Sequence, residues 1–475
     1  MLHNKDIKNI HELKTNFTHS WFEVDYLLKV TEIFKLSKLL KSFSELKKQG
    51  YSFTYIISVL LILPFIGLSN IHQATDRDIK AKKDVFYRLK NNPIIDWRSI
   101  IWIFSLKFVN LIKAKTTQNT GVKCLIIDDS FLEKTGKYIE KISRVWDHVS
   151  RRALLGFKLN VLGFWDGISF IPVDFSLHRE KGKNKNKPFG LTKKDFKRQF
   201  QKKRNKETAS YERIKEADQT KIKTGIKMFK RAVKQGLQFE YLLMDSWFTC
   251  NEFIEAVRNI KTQTVHLIGM YKISKTKFNF KGKLYTYSQI RNLLGKPKRN
   301  RKTGYYYLET EVLLDNKPLK LFFSRKGKRG NWKTFLTTNT NLSFIQMLKI
   351  YSIRWSIEVF FKESKQLLYL GKEQSNDFDS QIAAISLVMI QYILISTRFR
   401  FENYESKGAL FKQSKAEVIR IRLSERIWGL LMEILKIVTE IFENEDEDDL
   451  MEKMFNNDKL FLKINNFIRT ANLAA

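Results

Sequence analysis

The chain is short of cysteine, histidine and acidic residues, and each shortage removes a class of explanation. Two cysteines, Cys124 and Cys250, in 475 residues cannot build a disulfide framework, nor a zinc site without many other ligands. Cytosolic, reducing conditions suit such a chain. Among the seven histidines no Ser/His/Asp arrangement stands out. The sequence contains no G-x-x-x-x-G-K-[ST] segment, so ATP dependence is not indicated. The opening MLHNKDIKNIHELK has no apolar core of a signal peptide. The strongest apolar run, YIISVLLILPFIGL over 55–68, is shorter than the roughly 20 residues that span a bilayer, and Pro64 interrupts it. It predicts a buried helix and no membrane partner.

Positive charge is what the chain has in excess. Against 49 Asp+Glu stand 86 Lys+Arg, a formal net charge of +37. Self-repulsion on that scale is destabilising and is tolerated when a polyanion neutralises it, nucleic acid first among candidates. The alternative is a Lys-rich proteome bias that reflects an AT-rich genome. The hydrophobic content of 43% is that of a globular protein, well above disordered compositions.

Residues 1–118 repeat apolar positions at helical spacing, as in LLKVTEIFKLSKLLKSFSELKKQG (27–50) and DWRSIIWIFSLKFVNLIKAK (96–115). This predicts a helical N-terminal, DNA-binding region, within which a helix-turn-helix over 25–115 has no assignable recognition helix. From Lys123 the period changes. CLIIDDS (124–130), FKLNVLGFWDG (157–167) and ISFIPVDFSL (168–177) read as strands. A basic segment over 179–208 follows, thirteen Lys/Arg against three acids. A helix is expected over 210–235, a strand over 239–247 and a helix over 251–260. Strand patterns fill 262–340, and helical ones 343–370, 378–398, 413–442 and 449–471, with the acidic run ENEDEDD at 443–449. The expected division is a helical region to 118, an α/β core from 119–261 and 341–375, a β-rich insertion at 262–340, and a helical region over 376–475 for DNA contact or oligomerisation.

Two strand ends carry carboxylates, IIDDS and LLMDS. The C-terminal edge of strands in α/β sheets is where ligands and metals bind, and hard carboxylate oxygens suit Mg²⁺ or Mn²⁺. Taken singly, each Asp is as well explained as a turn residue or helix cap. Residues 351–368 read YSIRWSIEVFFKESKQLL. At about 100° per residue, Tyr351, Arg354, Glu358 and Lys365 fall within one stripe roughly 60° wide. Ile357, Phe360 and Phe361 take another face. A solvated helix face with an Arg354–Glu358 ion pair has the same pattern.

The spacing Tyr-x2-Arg-x3-Glu-x6-Lys resembles the Y-R-E-K signature of the IS4-type DDE transposases of bacterial insertion sequences, with no departure at any of the four positions. The resemblance runs from about Lys123 to Leu370 and implies a ribonuclease H-like α/β core, a mixed five-stranded sheet flanked by helices, with a β-strand insertion before the helix that carries the Glu. It implies three catalytic, metal-binding carboxylates: Asp129, Asp245 and Glu358. Asp129 is favoured over its neighbour Asp128 because Ser130 supplies the hydroxyl residue that follows the first Asp in the family; strand alternation lets only one of the two point at the site. Two Mg²⁺ or Mn²⁺ ions would then serve phosphodiester hydrolysis and strand transfer at terminal inverted repeats. Arg354 and Lys365 would neutralise phosphates, Tyr351 would contact phosphate or sugar, and Trp332 in the insertion would stack on a flipped base or serve as a buried structural residue. The resemblance further implies double-stranded DNA as partner, both transposon ends and target, a homodimer in the synaptic complex, and a cytoplasmic, nucleoid-associated bacterial protein. Two other readings remain: a ribonuclease H-like nuclease acting on other DNA, and an inactive transposase-derived DNA-binding protein.

Overall fold

A computed structural model of the chain describes residues 34–47, 49–74, 81–115, 121–147, 150–272 and 275–401. The expected helices at 413–442 and 449–471, the acidic run at 443–449 and the first 33 residues lie outside them. The chain divides into two compact units, Met1–Phe86 with Thr397–Ala475, and Tyr87–Ser396.

In the first unit, the described part of the helix expected over 27–50 is two single turns, α1 (Leu36–Leu39) and α2 (Lys41–Ser44), separated at Leu40, whose backbone leaves helical geometry. Helix α3 (Phe53–Ile62) starts where the Ser52 hydroxyl accepts the Tyr55 N–H at 3.2 Å, the usual cap for an orphan donor. It gives way to a 3-10 turn over Leu63–Ile66, with Pro64 in its first positions. Ile56, Ile57, Val59, Leu61 and Ile62 are buried, as the apolar run predicts. Helix α4 spans Lys83–Lys90.

The second unit is built on one mixed sheet. Its strands are β1 (Cys124–Glu133), β2 (Ser143–Asp147), β3 (Arg152–Trp165), β4 (Phe170–His178), β5 (Tyr241–Met244), β6 (His266–Tyr271), β7 (Lys277–Phe280), β8 (Lys283–Thr286), β9 (Lys298–Arg299), β10 (Tyr305–Leu314), β11 (Lys317–Lys326) and β12 (Lys333–Thr337). Its helices are α5 (Trp97–Lys115), α6 (Lys193–Lys197), α7 (Ala209–Glu216), α8 (Lys221–Lys234), α9 (Asn251–Arg258), α10 (Tyr287–Leu293), α11 (Phe344–Ser352), α12 (Trp355–Leu367) and α13 (Phe378–Phe401). β4, β3 and β1 pair antiparallel in that order; β1, β5 and β6 then run parallel. β12 pairs antiparallel with β6, and β11 and β10 continue beyond it.

Two expectations change here. The strand expected to open the insertion, β6, is the third parallel strand and so belongs with β1 and β5. The strands after it, over the expected β-rich insertion, extend the same sheet. β2, beside the start of β3, was not visible as a strand, because SRVWD is too short and too polar to show a period. The helix expected over 210–235 divides at 217–220, where Thr220 caps α8 by accepting the Lys223 N–H at 3.2 Å.

Buried ion pairs hold the helices to the sheet. Asp174 of β4 is fully buried and accepts from Arg98 of α5 at 2.9 Å and Arg231 of α8 at 2.7 Å. With both partners satisfied, a buried carboxylate is tolerable; losing one cation would strand its charge. A helix long and apolar enough to cross a membrane, Phe378–Arg400, is present, and 89% of its apolar window is buried inside the protein.

Candidate active site

Ile127 of β1 and Met244 of β5 are partners in a parallel pair, so the residues that follow them, Asp128 and Asp245, stand level at the C-terminal edge of β5. β1 runs on past this point alongside β3, where Asp128 faces Val161 and Asp129 faces Asn160. Successive side chains of a strand point to opposite faces, and the contacts show which is which. Arg354, just before α12, donates to Asp128 Oδ2 at 2.8 Å, and Lys365 of α12 donates to Ser130 Oγ at 2.8 Å. Asp128 and Ser130 therefore face α12. Lys221, the first residue of α8, pairs with Asp129, and Ile127 lies against Gly225 of α8, where an added Cβ would come within 2.6 Å of its Cδ1. Asp129 faces α8.

α12 is held over its face of the sheet by Phe360, whose ring meets Phe170 of β4 at 5.7 Å and Tyr392 of α13 at 4.8 Å. The Phe170 ring can lie there because Gly163 offers no side chain: a Cβ would stand 2.0 Å from it. Glu358 projects from the first turn of α12 and accepts from Arg354. The single helix expected over 343–370 is broken at Ile353–Arg354. Their N–H groups bond to Ile350 and Tyr351 in i→i−3 fashion, a tightened turn. Backbone torsions there remain in the helical region, so the stripe survives the break with Arg354 as its hinge.

The four stripe residues do different things. The Tyr351 hydroxyl donates to the Met244 carbonyl at 3.2 Å, propping the end of β5, and burial pushes its pKa up to about 12. The Arg354 guanidinium joins Asp128 to Glu358. Burial opposes its charge, but Tyr351, Asp128 and Glu358 carry its pKa above the ordinary arginine value. Lys365 also donates to the Phe131 carbonyl at 3.0 Å, and burial lowers its pKa.

Asp245 Oδ1 accepts the Trp247 N–H at 2.9 Å and the Phe248 N–H at 3.2 Å. Burial raises its pKa against those two donors, and the charge of Asp129 adds to the rise. Asp128 is pushed up to about 7, first by burial and then by the charge of Asp245, with Arg354 opposing. Two crowded carboxylates share one guanidinium, an electrostatic setting that a cation relieves. Among the described residues, no three His, Cys, Asp or Glu side chains are grouped to hold an ion as they stand. The donor set of Asp128, Asp245 and Glu358 fits a hard divalent cation in chemistry, with Arg354 meeting the charge of two of its members.

Trp332 sits just ahead of β12, half-buried, with the Arg325 guanidinium 4.8 Å and the Arg291 guanidinium 5.8 Å from its ring centre. It is not a core residue. Two aromatics closer in sequence to the carboxylates are exposed, Trp247 by 52% and Trp355 by 63%. An apolar residue next to a motif carries no sign of exposure in the sequence. In the basic segment, Arg204 and Lys202 are spent internally on Glu140, Asp377 and Asp379. Lys181, Lys183, Lys185 and Lys187 are exposed.

The chain resembles known proteins over this region. Residues 107–269 match the family described as DDE superfamily endonuclease, and residues 211–394 match the transposase DDE domain. The two matches overlap across β5 and together take in Asp128, Asp129, Asp245, Tyr351, Arg354, Glu358 and Lys365. The chain is also similar to the transposase for insertion sequence element IS231E of Bacillus thuringiensis subsp. finitimus, 30% identical over 143 residues, 26% of this chain and 28% of that protein. The matched stretch thus spans just over a quarter of that relative's length. Among solved structures, the NurA nuclease of Sulfolobus solfataricus aligns over 58% of this chain and 86% of its own, at 11% identity and a TM-score of 0.22, too low to carry an argument. Residues 107–394 are thus similar to DDE-type endonuclease and transposase domains.

Proposed function

We propose that this chain is a cut-and-paste transposase of an insertion sequence, of IS4 type, which hydrolyses phosphodiesters at terminal inverted repeats and transfers the freed strands to target DNA. The observation that carries this reading is the level placement of Asp128 and Asp245 on parallel strands, with Arg354 tying Asp128 to Glu358 of the facing helix. The strands β4-β3-β1-β5-β6, antiparallel then parallel, make a mixed five-stranded run of the kind the resemblance implies for a ribonuclease H-like core, which supports that finer assignment.

In this reading Asp128, Asp245 and Glu358 hold the metal. Asp129 was favoured from the residue that follows it; Asp128 is proposed in its place because it shares a face with Glu358, whereas Asp129 is engaged by Lys221. Mg²⁺ or Mn²⁺, when bound, supplies charge neutralisation at the scissile phosphate and lowers the pKa of the attacking hydroxyl. Arg354, released from the carboxylates, is placed to turn its planar fork to a phosphate. Lys365 contributes a second positive charge beside Ser130. Tyr351 acts by fixing the β5 end that carries Asp245. Partners in this reading are double-stranded DNA ends, target DNA and a second copy of the chain.

The test is a plasmid carrying the DNA that flanks the gene. Excision at defined ends, followed by joining to new sites, is expected with Mg²⁺. Metal-dependent cutting without end specificity or joining would favour the nuclease alternative.

A further inference from the structure

The turn leaving β5 is anchored at Asp245, Phe248 and Thr249. Asp245 accepts two backbone N–H groups of the turn, and Thr249 Oγ1 donates back to the Asp245 carbonyl at 2.8 Å. Phe248 is fully buried, edge-on to Phe253 with ring centres 6.3 Å apart. Thr249 lies directly over Gly269 of β6, where a Cβ would come within 2.1 Å of its hydroxyl. Within this frame the Trp247 side chain points outward, 52% exposed.

Two ammonium groups lie on that indole. Lys221 Nζ is 4.9 Å and Lys272 Nζ 5.4 Å from the ring centre. Lys221 also pairs with Asp129, so the indole shares a cation with the residue next to Asp128. A large aromatic presented to solvent forgoes part of the burial its ring could gain. Here its backbone is already ordered, so a partner recovers that burial at little entropic cost. The partner must offer a flat apolar face and carry negative charge close beside it. A nucleotide has both: the base stacks, and its phosphates take the displaced ammonium groups.

We infer that Trp247, with Lys221 and Lys272, is a stacking site for an unpaired base of the DNA strand next to the cleaved phosphate, separate from Trp332 on the extended part of the sheet. This inference rests on the reading of the protein as a DNA-cleaving enzyme.

The full-length chain in EDTA, which prevents cleavage, is titrated with a short blunt duplex and with the same duplex bearing a single-stranded tail that contains 2-aminopurine. Wild type is expected to quench the 2-aminopurine and to prefer the tailed DNA. Trp247→Ala should lose the quench and bind the tailed DNA about 10-fold more weakly, with blunt-duplex affinity and melting temperature unchanged. Trp247→Phe should restore part of the quench, since a smaller ring still stacks. Lys272→Gln should lower the salt dependence for the tailed DNA by about one ion. Unchanged quench and affinity in Trp247→Ala, or loss of the quench in Trp332→Ala instead, overturns the inference and leaves DNA cleavage standing. Wild type that binds neither DNA overturns both.

Discussion

Arg354 donates to Asp128 at 2.8 Å across a separation of 226 residues, and the same guanidinium holds Glu358 one helical turn away. This pairing fixes the facing helix to the first strand and occupies two of the three carboxylates proposed to act together.

Arg354→Ala should therefore cost stability as well as activity. The pair is mostly buried, with side-chain exposures of 15% and 14%, so stranding Asp128 should lower unfolding free energy by about 1–3 kcal/mol. Adding Asp128→Asn to that variant should recover part of the loss, because the uncompensated charge is gone. Denaturant melts of the four proteins in the cycle measure it. A double variant no more stable than Arg354→Ala would show that the pair is not coupled.

The adjacent aspartates should separate cleanly. With Asp128 facing Glu358 and Asp129 facing Lys221, Asp128→Asn is expected to reduce DNA cleavage by about 1000-fold or more and Asp129→Asn by about 10-fold. Single-turnover rates on one substrate decide it, and the reverse ranking returns the role to Asp129.

That distinction shows where sequence stops being readable. The carboxylate that ends β5 and the Tyr351/Arg354/Glu358/Lys365 stripe were legible because each rests on local periodicity, whereas Asp128 and Asp129 lie in the middle of β1, which continues beside β3 to Glu133. Which of Asp128 and Asp129 points where depends on which helix covers which face of β1, a tertiary fact. The break at Ile353–Arg354 was hidden because the torsions stay near helical and no Gly or Pro marks it. β6 read as part of the insertion because a short apolar strand looks the same whether its neighbour runs parallel or antiparallel. The cations of the basic segment were countable, but not that Arg204 and Lys202 are consumed by buried acids.

Gly269→Ala should disturb the site from a distance. The added methyl would collide with Thr249 Oγ1 at 2.1 Å, for a stability loss of about 1–3 kcal/mol, and would shift the turn that orients Asp245. Cleavage should fall more than stability alone explains at a temperature where the variant is fully folded. Circular dichroism melts alongside cleavage rates check this; unchanged cleavage in a folded variant would mean that the turn does not position Asp245.

His178 should make the fold acid-sensitive. It is buried, bonded to Ser176 at 2.8 Å and to Thr224 at 3.0 Å, and burial pulls its pKa down to about 4. Above pH 6.5 it is neutral in both folded and unfolded chains and stability is complete. As pH falls from about 6.5 to about 4, the unfolded chain takes up the proton first, so stability drops by about 3 kcal/mol from this residue. His178→Gln should show a shallower decline across that window, measured by urea melts at several pH values. Parallel curves would remove His178 as the source.

The account stands most directly on metal-dependent cleavage by the intact chain of DNA taken from the ends that flank its gene. Wild type should cut with Mg²⁺ or Mn²⁺ and not in EDTA, while Asp245→Asn and Glu358→Gln, folded and still binding the DNA, should lose cutting by about 1000-fold or more. Full cleavage by either variant would contradict the proposed site.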